Sequence, residues 1–356
     1  MNVKIQFIIF FLIFILIYIS LNSYVFLRLG GLLGIQKNFL YLLILLFTFS
    51  LPFAMYIERV FPNILSRIFY TVAALWMGIL LFILCLLLLY EIIRLFYAPP
   101  YAGMIIVIMV SILSIISIIN ATRIVVKEIK IPIKNLEKNI TIVQLSDIHV
   151  GTIMNSGFLK KIIKEVDQLN PDIVMITGDM IDASARLHKD MFSVFNQLKA
   201  EVYFVTGNHE IYEGADNVYV LFNNTKIRAL KNEVVNSNGI QVIGIEFSES
   251  DGYLEKELEK IKIDKTKPAV LMYHSPQGVE TAKKIGINLQ LSGHTHFGQI
   301  FPFNFLVNMF FKYINGLYKL GDMFLYVSPG TGTWGPYMRL GSNNEITVLK
   351  LIKDRV

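Results

Sequence analysis

The sequence predicts an all-α bundle of four transmembrane helices followed by an α/β domain, and three observations carry that prediction. Charged residues are scarce before residue 122. Beyond about residue 140 the chain reads as short β-rich runs, each stopping abruptly in a polar cluster. Between the first two runs, residues 158–169 alternate apolar and charged side chains at helical spacing.

Of the 33 basic and 27 acidic residues in the chain, only Lys4, Arg28, Lys37, Arg59, Arg67 and Arg94, with Glu58 and Glu91, fall in region 1–121. The uncharged runs between them approach or exceed the roughly 20 residues a helix needs to cross a bilayer. Helices are expected at 5–27, 38–57, 68–90 and 101–121. Gly30, Gly31 and Gly34 punctuate the first connection, Pro62 the second, and Pro99 with Pro100 the third. Tyr24, Tyr41, Tyr56, Tyr97 and Tyr101 stand near the expected ends, where an amphipathic ring suits the interface. The first run is too long for a signal peptide and has no small-residue cleavage site, so it reads as a retained span. No charge lies at mid-membrane depth, which argues against a proton relay or ion path. The spans read as an anchor in the cell membrane, with a sensor or lipid-presenting role as the alternative.

Residues 122–137 read as a juxtamembrane linker and 138–356 as the folded domain. With the N-terminus inside, Lys4, Arg59, Arg67, Arg123, Lys127, Lys130, Lys134 and Lys138 face the cytoplasm, against Arg28, Lys37 and Arg94 outside. The positive-inside rule thus predicts a cytoplasmic domain. The part after residue 121 is nearly neutral and has no stripe of cations interleaved with aromatics, so nucleic acid is not an expected partner. The only cysteine, Cys85, rules out both an intramolecular disulfide and a cysteine zinc site.

The β-rich runs end in potential metal ligands. Residues 140–145 precede Asp147 and His149, and 172–177 precede Gly178, Asp179 and Asp182. Residues 202–206 precede Gly207, Asn208, His209 and Glu210. Residues 269–273 precede His274, and 289–292 precede Gly293, His294 and His296. Of the six histidines, only His188 lies outside these clusters, in a charged segment, where it reads as a surface residue. Buried strands that deliver carboxylates, imidazoles and an amide to one edge concentrate polar atoms at high cost unless something binds them, and a pair of divalent cations would. Oxygen ligands suit Mg or Mn, imidazoles suit Zn, Fe, Co or Ni, and a mixed set holds several of these. The glycines before Asp179, Asn208 and His294 fit tight turns that leave room for metal and substrate.

These five blocks, in this order, resemble the calcineurin-like metallophosphoesterase superfamily: Asp-x-His, Gly-Asp-x-x-Asp, Gly-Asn-His-Glu, a single His, and Gly-His-x-His. Residues 293–302 and 328–336 look most like the bacterial membrane-associated branch similar to the YkuE and YaeI phosphodiesterases. The likeness covers about 138–354 and implies a two-sheet β-sandwich flanked by helices. It further implies one metal held by Asp147, His149, Asp179 and His296, and a second by Asp179, Asn208, His274 and His294, with Asp179 bridging. Phe297 stands where many relatives have glycine, which bears on the pocket rim. Glu210 stands where others have aspartate, which bears on how His209 is oriented.

Two cations bridged by Asp179 would lower the pKa of a shared water and align an in-line attack of hydroxide on phosphorus. His209, left outside both ligand sets, is then expected to protonate the leaving oxygen or to stabilise the transition state by hydrogen bonding. Asp182 and Glu210 are expected to orient imidazoles or equally to cap a helix or shape a turn, and Arg339 to pair with a substrate phosphate or sit in a surface salt bridge. The aromatic stretch 301–311 reads either as a wall or bilayer contact for a lipid or as an ordinary buried element. The reading is a membrane-anchored hydrolase of a phosphodiester, pyrophosphate or phosphomonoester, with a lipid-linked substrate inferred from the anchor. The alternatives are a hydrolase of soluble phosphoesters and a receptor or scaffold that has lost catalysis, whose signature would be missing ligands.

Overall fold

The computed structural model describes residues 3–182, 188 and 190–354, in two compact units. One comprises residues 1–119 with 335–338, the other 120–334 with 339–356.

The first unit is built on α1 (Val3–Leu32), α2 (Lys37–Val60), α3 (Ile64–Ile93) and α4 (Ala102–Thr122), the last turn of which belongs to the second unit. All four are long and apolar enough to cross a membrane. Helices α1 and α3 run well past the expected ends at residues 27 and 90, because the charges taken as boundaries satisfy one another. Arg28 Nε lies 2.5 Å and Arg94 Nε 2.6 Å from the Glu91 carboxylate. Helix α3 begins where Asn63 caps it, its side chain accepting from the Leu65 and Ser66 amides. Inside the bundle Trp76 Nε1 donates to Asn22 Oδ1 at 2.9 Å, so neither polar group is left unpaired in an apolar setting.

Residues expected to form a linker carry a strand instead. β1 (Ile124–Ile133) follows α4 with only Arg123 between and pairs in parallel with β12 (Asn344–Lys353) along its whole length. Its alternating Ile129, Ile131 and Ile133 supply the apolar face such pairing needs. Lys127, Lys130, Lys134 and Lys138 therefore lie in or beyond a strand of the folded domain. The flanking charges proper are then Lys4, Arg59, Arg67 and Arg123 on one side and Arg28, Lys37 and Arg94 on the other.

The remaining strands are β2 (Ile140–Leu145), β3 (Ile173–Thr177), β4 (Glu201–Val205), β5 (Ile227–Ala229), β6 (Glu233–Ser237), β7 (Ile240–Gly244), β8 (Ala269–Met272), β9 (Leu289–Ser292), β10 (Gly316–Leu320) and β11 (Met323–Val327). They form two mixed six-stranded sheets, ordered β1-β12-β2-β3-β4-β5 and β10-β11-β9-β8-β7-β6. In the first, β2 to β5 run parallel; in the second, β7, β8, β9 and β11 do. This is the expected sandwich.

Strand alternation builds the layers. Ile140 and Ile142 of β2 face the second sheet's Val242, Val270, Met272 and Leu291, while Val143 and Leu145 point outward onto α5 (Ser156–Gln168). Helix α5 answers with Leu159, Ile162, Ile163 and Val166, the i, i+3, i+4, i+7 stripe of one helix face, all fully buried. Each such side chain contributes about 1.5–3 kcal/mol of burial. The helix joins neighbouring parallel strands β2 and β3, as its pattern predicts. Shorter helices follow: α6 (Asn208–Glu213), α7 (Ala215–Val220), α8 (Tyr253–Lys260), α9 (Val279–Ile285) and α10 (Phe303–Phe310). Helices α8 and α9 cover the outer face of the second sheet through Leu254, Leu258, Val279 and Ala282. Beneath the shared edge, Gln144 Nε2 donates to Thr177 Oγ1 and to the Ser292 carbonyl, both at 2.9 Å, tying the two sheets together.

Candidate metal centre

Every polar cluster foreseen in the sequence follows the C-terminal end of a parallel strand. β2, β3 and β4 deliver theirs from one sheet, and β8 and β9 from the other. The chain turns sharply at these ends. Asp147, His149, Asp179, His294 and His296 all have positive φ, between 49° and 71°, a left-handed conformation that costs a non-glycine residue about 1–3 kcal/mol. Such strain at five neighbouring polar residues persists only where the surrounding structure enforces it. The close approach of two turns also demands glycine at two points. A Cβ on Gly207 would collide with the Asp179 carboxylate, and one on Gly293 with Asp147 Oδ2 and Ser146 Oγ.

The turns gather two donor groups. In one, His149 Nε2 and His296 Nε2 lie 3.1 Å apart, with Asp147 Oδ1 3.3 Å from the latter. In the other, His274 Nε2 and His294 Nδ1 lie 3.1 Å apart, and Asn208 Oδ1 lies 3.1 and 3.0 Å from them. Asp179 Oδ2 stands between the groups, 3.3 Å from His274 Nε2 and 3.9 Å from His149 Nε2. All seven are the residues singled out in the sequence, and the structure brings all seven together.

These residues fit a pair of cations. Ligand bonds of about 2.0–2.2 Å at tetrahedral or octahedral angles separate neighbouring donor atoms by about 3.0–3.5 Å, the spacing seen in both groups. His274 donates Nδ1–H to the Thr177 carbonyl at 2.8 Å, which turns Nε2 toward the site as the atom that would bind a cation once its proton is displaced. His149 Nδ1 and His296 Nδ1 are buried without hydrogen-bond partners among the described residues, while the Nε2 atoms of both rings converge on the site.

The electrostatics suit the same reading. Burial keeps His149 and His296 well below the ordinary imidazole range and lowers His294 to about 3, so all three rings are neutral. Burial also disfavours charge on His274, but the Asp179 carboxylate outweighs it and pushes that ring up to about 10. Burial likewise opposes ionisation of Asp179, yet the facing His274 holds it well below the usual carboxylate range. Asp147, through burial, is pushed up to about 6. A bound cation would take the place of the His274 proton.

Around this centre the structure sorts the other candidates. His209 sits beside both groups, its ring centroid 4.6 Å from that of His149 and its Nδ1 3.8 Å from Asp182 Oδ1, so Asp182 does face an imidazole. One atom each from His149, Asp179 and His209 also lie within 4.8 Å of one another, so distance alone does not bar His209 from a metal. Of the two roles open to Glu210, the structure shows the turn role, since its carboxylate holds backbone rather than an imidazole. Its Oε2 accepts from the Asp179 and Gly207 amides at 2.9 and 2.7 Å, and its Oε1 from Ile181 N at 3.1 Å, fastening the β3 turn to the β4 turn. Burial, aided by Asp179, pushes its carboxyl up to about 7.

Arg339 is corrected more sharply. It is fully buried and is neither a substrate contact nor part of a surface salt bridge. Nη2 donates to the Pro329 and Gly332 carbonyls at 2.9 and 2.6 Å, and Nη1 to Ser342 Oγ at 3.0 Å. It is a clamp on the loop 329–332, whose Thr331 and Gly332 amides bond the Ser146 and Asp147 carbonyls. Burial lowers its pKa to about 9. The sequence reading missed this loop's role, although its Pro-Gly-Thr-Gly run is a turn signal. It also missed Phe247, whose ring lies 5.5 and 5.9 Å from those of His274 and His294, and for which no local signal exists. A cavity of about 610 Å³ opens beside Asn208 and His294, lined among others by Tyr212, Phe247, Glu249, Asp251 and Phe311.

Comparison with known proteins agrees with this geometry. Residues 140–298 match the family model described as calcineurin-like phosphoesterase. A metallophosphoesterase of Helicobacter pylori is 36% identical over 235 residues, 64% of this chain and 64% of that protein. A bovine transmembrane protein with a metallophosphoesterase domain is 35% identical over 276 residues, 69% of this chain and 61% of its own length. A metallophosphoesterase of Aquifex aeolicus is 30% identical over 222 residues, covering 60% of this chain and 85% of that protein. The chain thus spans just under two thirds of the first two relatives.

Proposed function

Since this chain belongs to the calcineurin-like metallophosphoesterases, we propose that it is a membrane-anchored phosphoesterase that hydrolyses a phosphodiester, pyrophosphate or phosphomonoester at the Asp179-centred site. The observation that carries this reading is the position of Asp179 Oδ2 between two donor groups that lack none of their expected members. Completeness of the set favours catalysis over a receptor or scaffold role. Two divalent cations there would supply a water of lowered pKa and positive charge against the phosphoryl oxygens.

The protein's own part is to hold that arrangement and manage the leaving group. Asp147, His149 and His296 hold one side, and Asn208, His274 and His294 the other. His209 donates a proton to the departing oxygen, with Asp182 steadying its ring. The cavity beside Asn208 and His294 takes the organic part of the substrate, and Glu249 and Asp251 oppose further negative charge there. Anchoring favours a substrate whose other half stays in the bilayer, so detergent-dispersed phospholipid should be turned over faster than bis-p-nitrophenyl phosphate. The balance of Lys4, Arg59, Arg67 and Arg123 against Arg28, Lys37 and Arg94 supports a cytoplasmic domain, which reporter fusions after Leu136 test.

Asp179→Asn is the primary test. It should strip bound divalent metal and abolish hydrolysis; a wild-type protein that binds no metal, or a variant that hydrolyses normally, refutes the reading. His209→Ala should retain metal while kcat falls about 10²–10⁴-fold, and loss of metal instead would make His209 a ligand.

A further inference from the structure

Helix α10 has no buried residue, which is unusual for an apolar helix beside a catalytic site. Among the described residues, seven of the thirteen large apolar side chains exposed after residue 123 fall between residues 301 and 317: Phe301, Phe303, Phe305, Leu306, Met309, Phe310 and Leu317. Phe305 is 64% exposed, Met309 79% and Phe310 74%. A contiguous apolar patch of this kind marks a surface with a partner.

Two features identify the partner. From Gln299 to Gly321 the chain has no acidic residue but two exposed cations, Lys312 and Lys319. Aromatic and aliphatic bulk flanked by Lys312 and Lys319, with the neighbouring Asp322 paired to Lys134 at 3.0 Å, suits a bilayer interface containing anionic lipid. The same chain carries four helices able to cross a membrane, and its domain starts one residue after the last of them, so a bilayer is always within reach. Helix α10 is also coupled to the metal centre at both ends. It follows the His296 turn directly, and Phe311, the residue after it, packs its ring 5.2 Å from that of His294.

We propose that α10 is an interfacial helix that inserts Phe305, Met309 and Phe310 into the lipid surface and thereby opens the metal centre toward phosphoesters lying in that surface. The proposal rests on the membrane-anchored reading of the first unit. Insertion would reach about 5–10 Å, to the boundary of headgroups and acyl chains.

The test uses the full chain with Cys85→Ala, so that a single new cysteine carries an environment-sensitive fluorophore. Met309→Cys and Lys260→Cys proteins, so labelled, are reconstituted in phosphatidylcholine–phosphatidylglycerol vesicles containing spin-labelled quencher lipids. The Met309 label should shift to the blue and be quenched, more by a shallow quencher than a deep one, while the exposed Lys260 label shows neither. A Met309 label as unquenched as the Lys260 one overturns the proposal. So does a blue shift without lipid quenching, which would mean that a second copy of the chain covers the helix. A Phe305→Ser label pair, with Met309→Cys retained, checks that the signal follows the apolar face and should lose most of its quenching. The readout needs no turnover, so failure of the hydrolase reading is seen separately, in the Asp179→Asn assay.

Discussion

Replacing Glu210 by glutamine tests how the two strand-end turns are held. The wild-type carboxylate accepts three backbone N–H groups while fully buried: Asp179 and Gly207 on Oε2, Ile181 on Oε1. In Glu210→Gln the amide oxygen can take the Oε2 position and keep two of these. The amide nitrogen then faces Ile181 N–H, a donor against a donor, and one buried N–H loses its acceptor, at about 1–3 kcal/mol. Loss of charge assistance on the other two bonds adds to this, and relief from burying a charge offsets it. The net expectation is about 1–3 kcal/mol, or a fall in Tm of roughly 2–12 °C for a domain of this size. Because the bonds tie down the backbone of Asp179 and of the residue before Asn208, affinity for divalent metal should fall about 10–100-fold. Melting curves of the detergent-solubilised protein and metal titration read both quantities. A Glu210→Gln protein with wild-type Tm and wild-type metal affinity refutes the argument that this carboxylate organises the site.

Further outcomes follow from the same geometry. In metal-stripped protein, His274 is raised from about 6.5 to about 10, so its pairing with Asp179 stabilises fully below pH 6.5 and is lost as pH rises toward 10. The depressed His149, His294 and His296 stabilise above pH 6.5 and lose that contribution as pH falls, partly offset by the raised Asp147 and Glu210. Metal-free Tm should therefore decline from pH 7 to about 9, where the lowered Arg339 begins to offset the loss, and loading with metal should remove the decline. For Arg339→Lys, which keeps the charge but not the fork over the Pro329 and Gly332 carbonyls, stability should drop by about 1–3 kcal/mol with KM unchanged. A raised KM at wild-type stability would restore Arg339 as a substrate contact.

The sequence alone sufficed for the strand-end clusters because each is local. A buried β run followed at once by Asp147, Asp179, Asn208, His274 or His294 needs only the alternation pattern and the turn residues beside it. The four apolar helices were legible for the same reason, being uninterrupted runs of one solvent preference. What the sequence could not disclose depends on chain segments far apart. β1 looked like a charged linker because its apolar face has meaning only against β12, whose Asn344 pairs with Ile124 across most of the chain. Arg339 looked like a phosphate ligand because nothing nearby in sequence announces the carbonyls that bury it. Glu210 adjoins His209 in the chain, yet its partners are amides at the ends of β3 and β4. The centre itself requires both sheets, since His149 and His296 face one another from 147 residues apart. Composition determined which groups would be present, and long-range packing decided which of them meet.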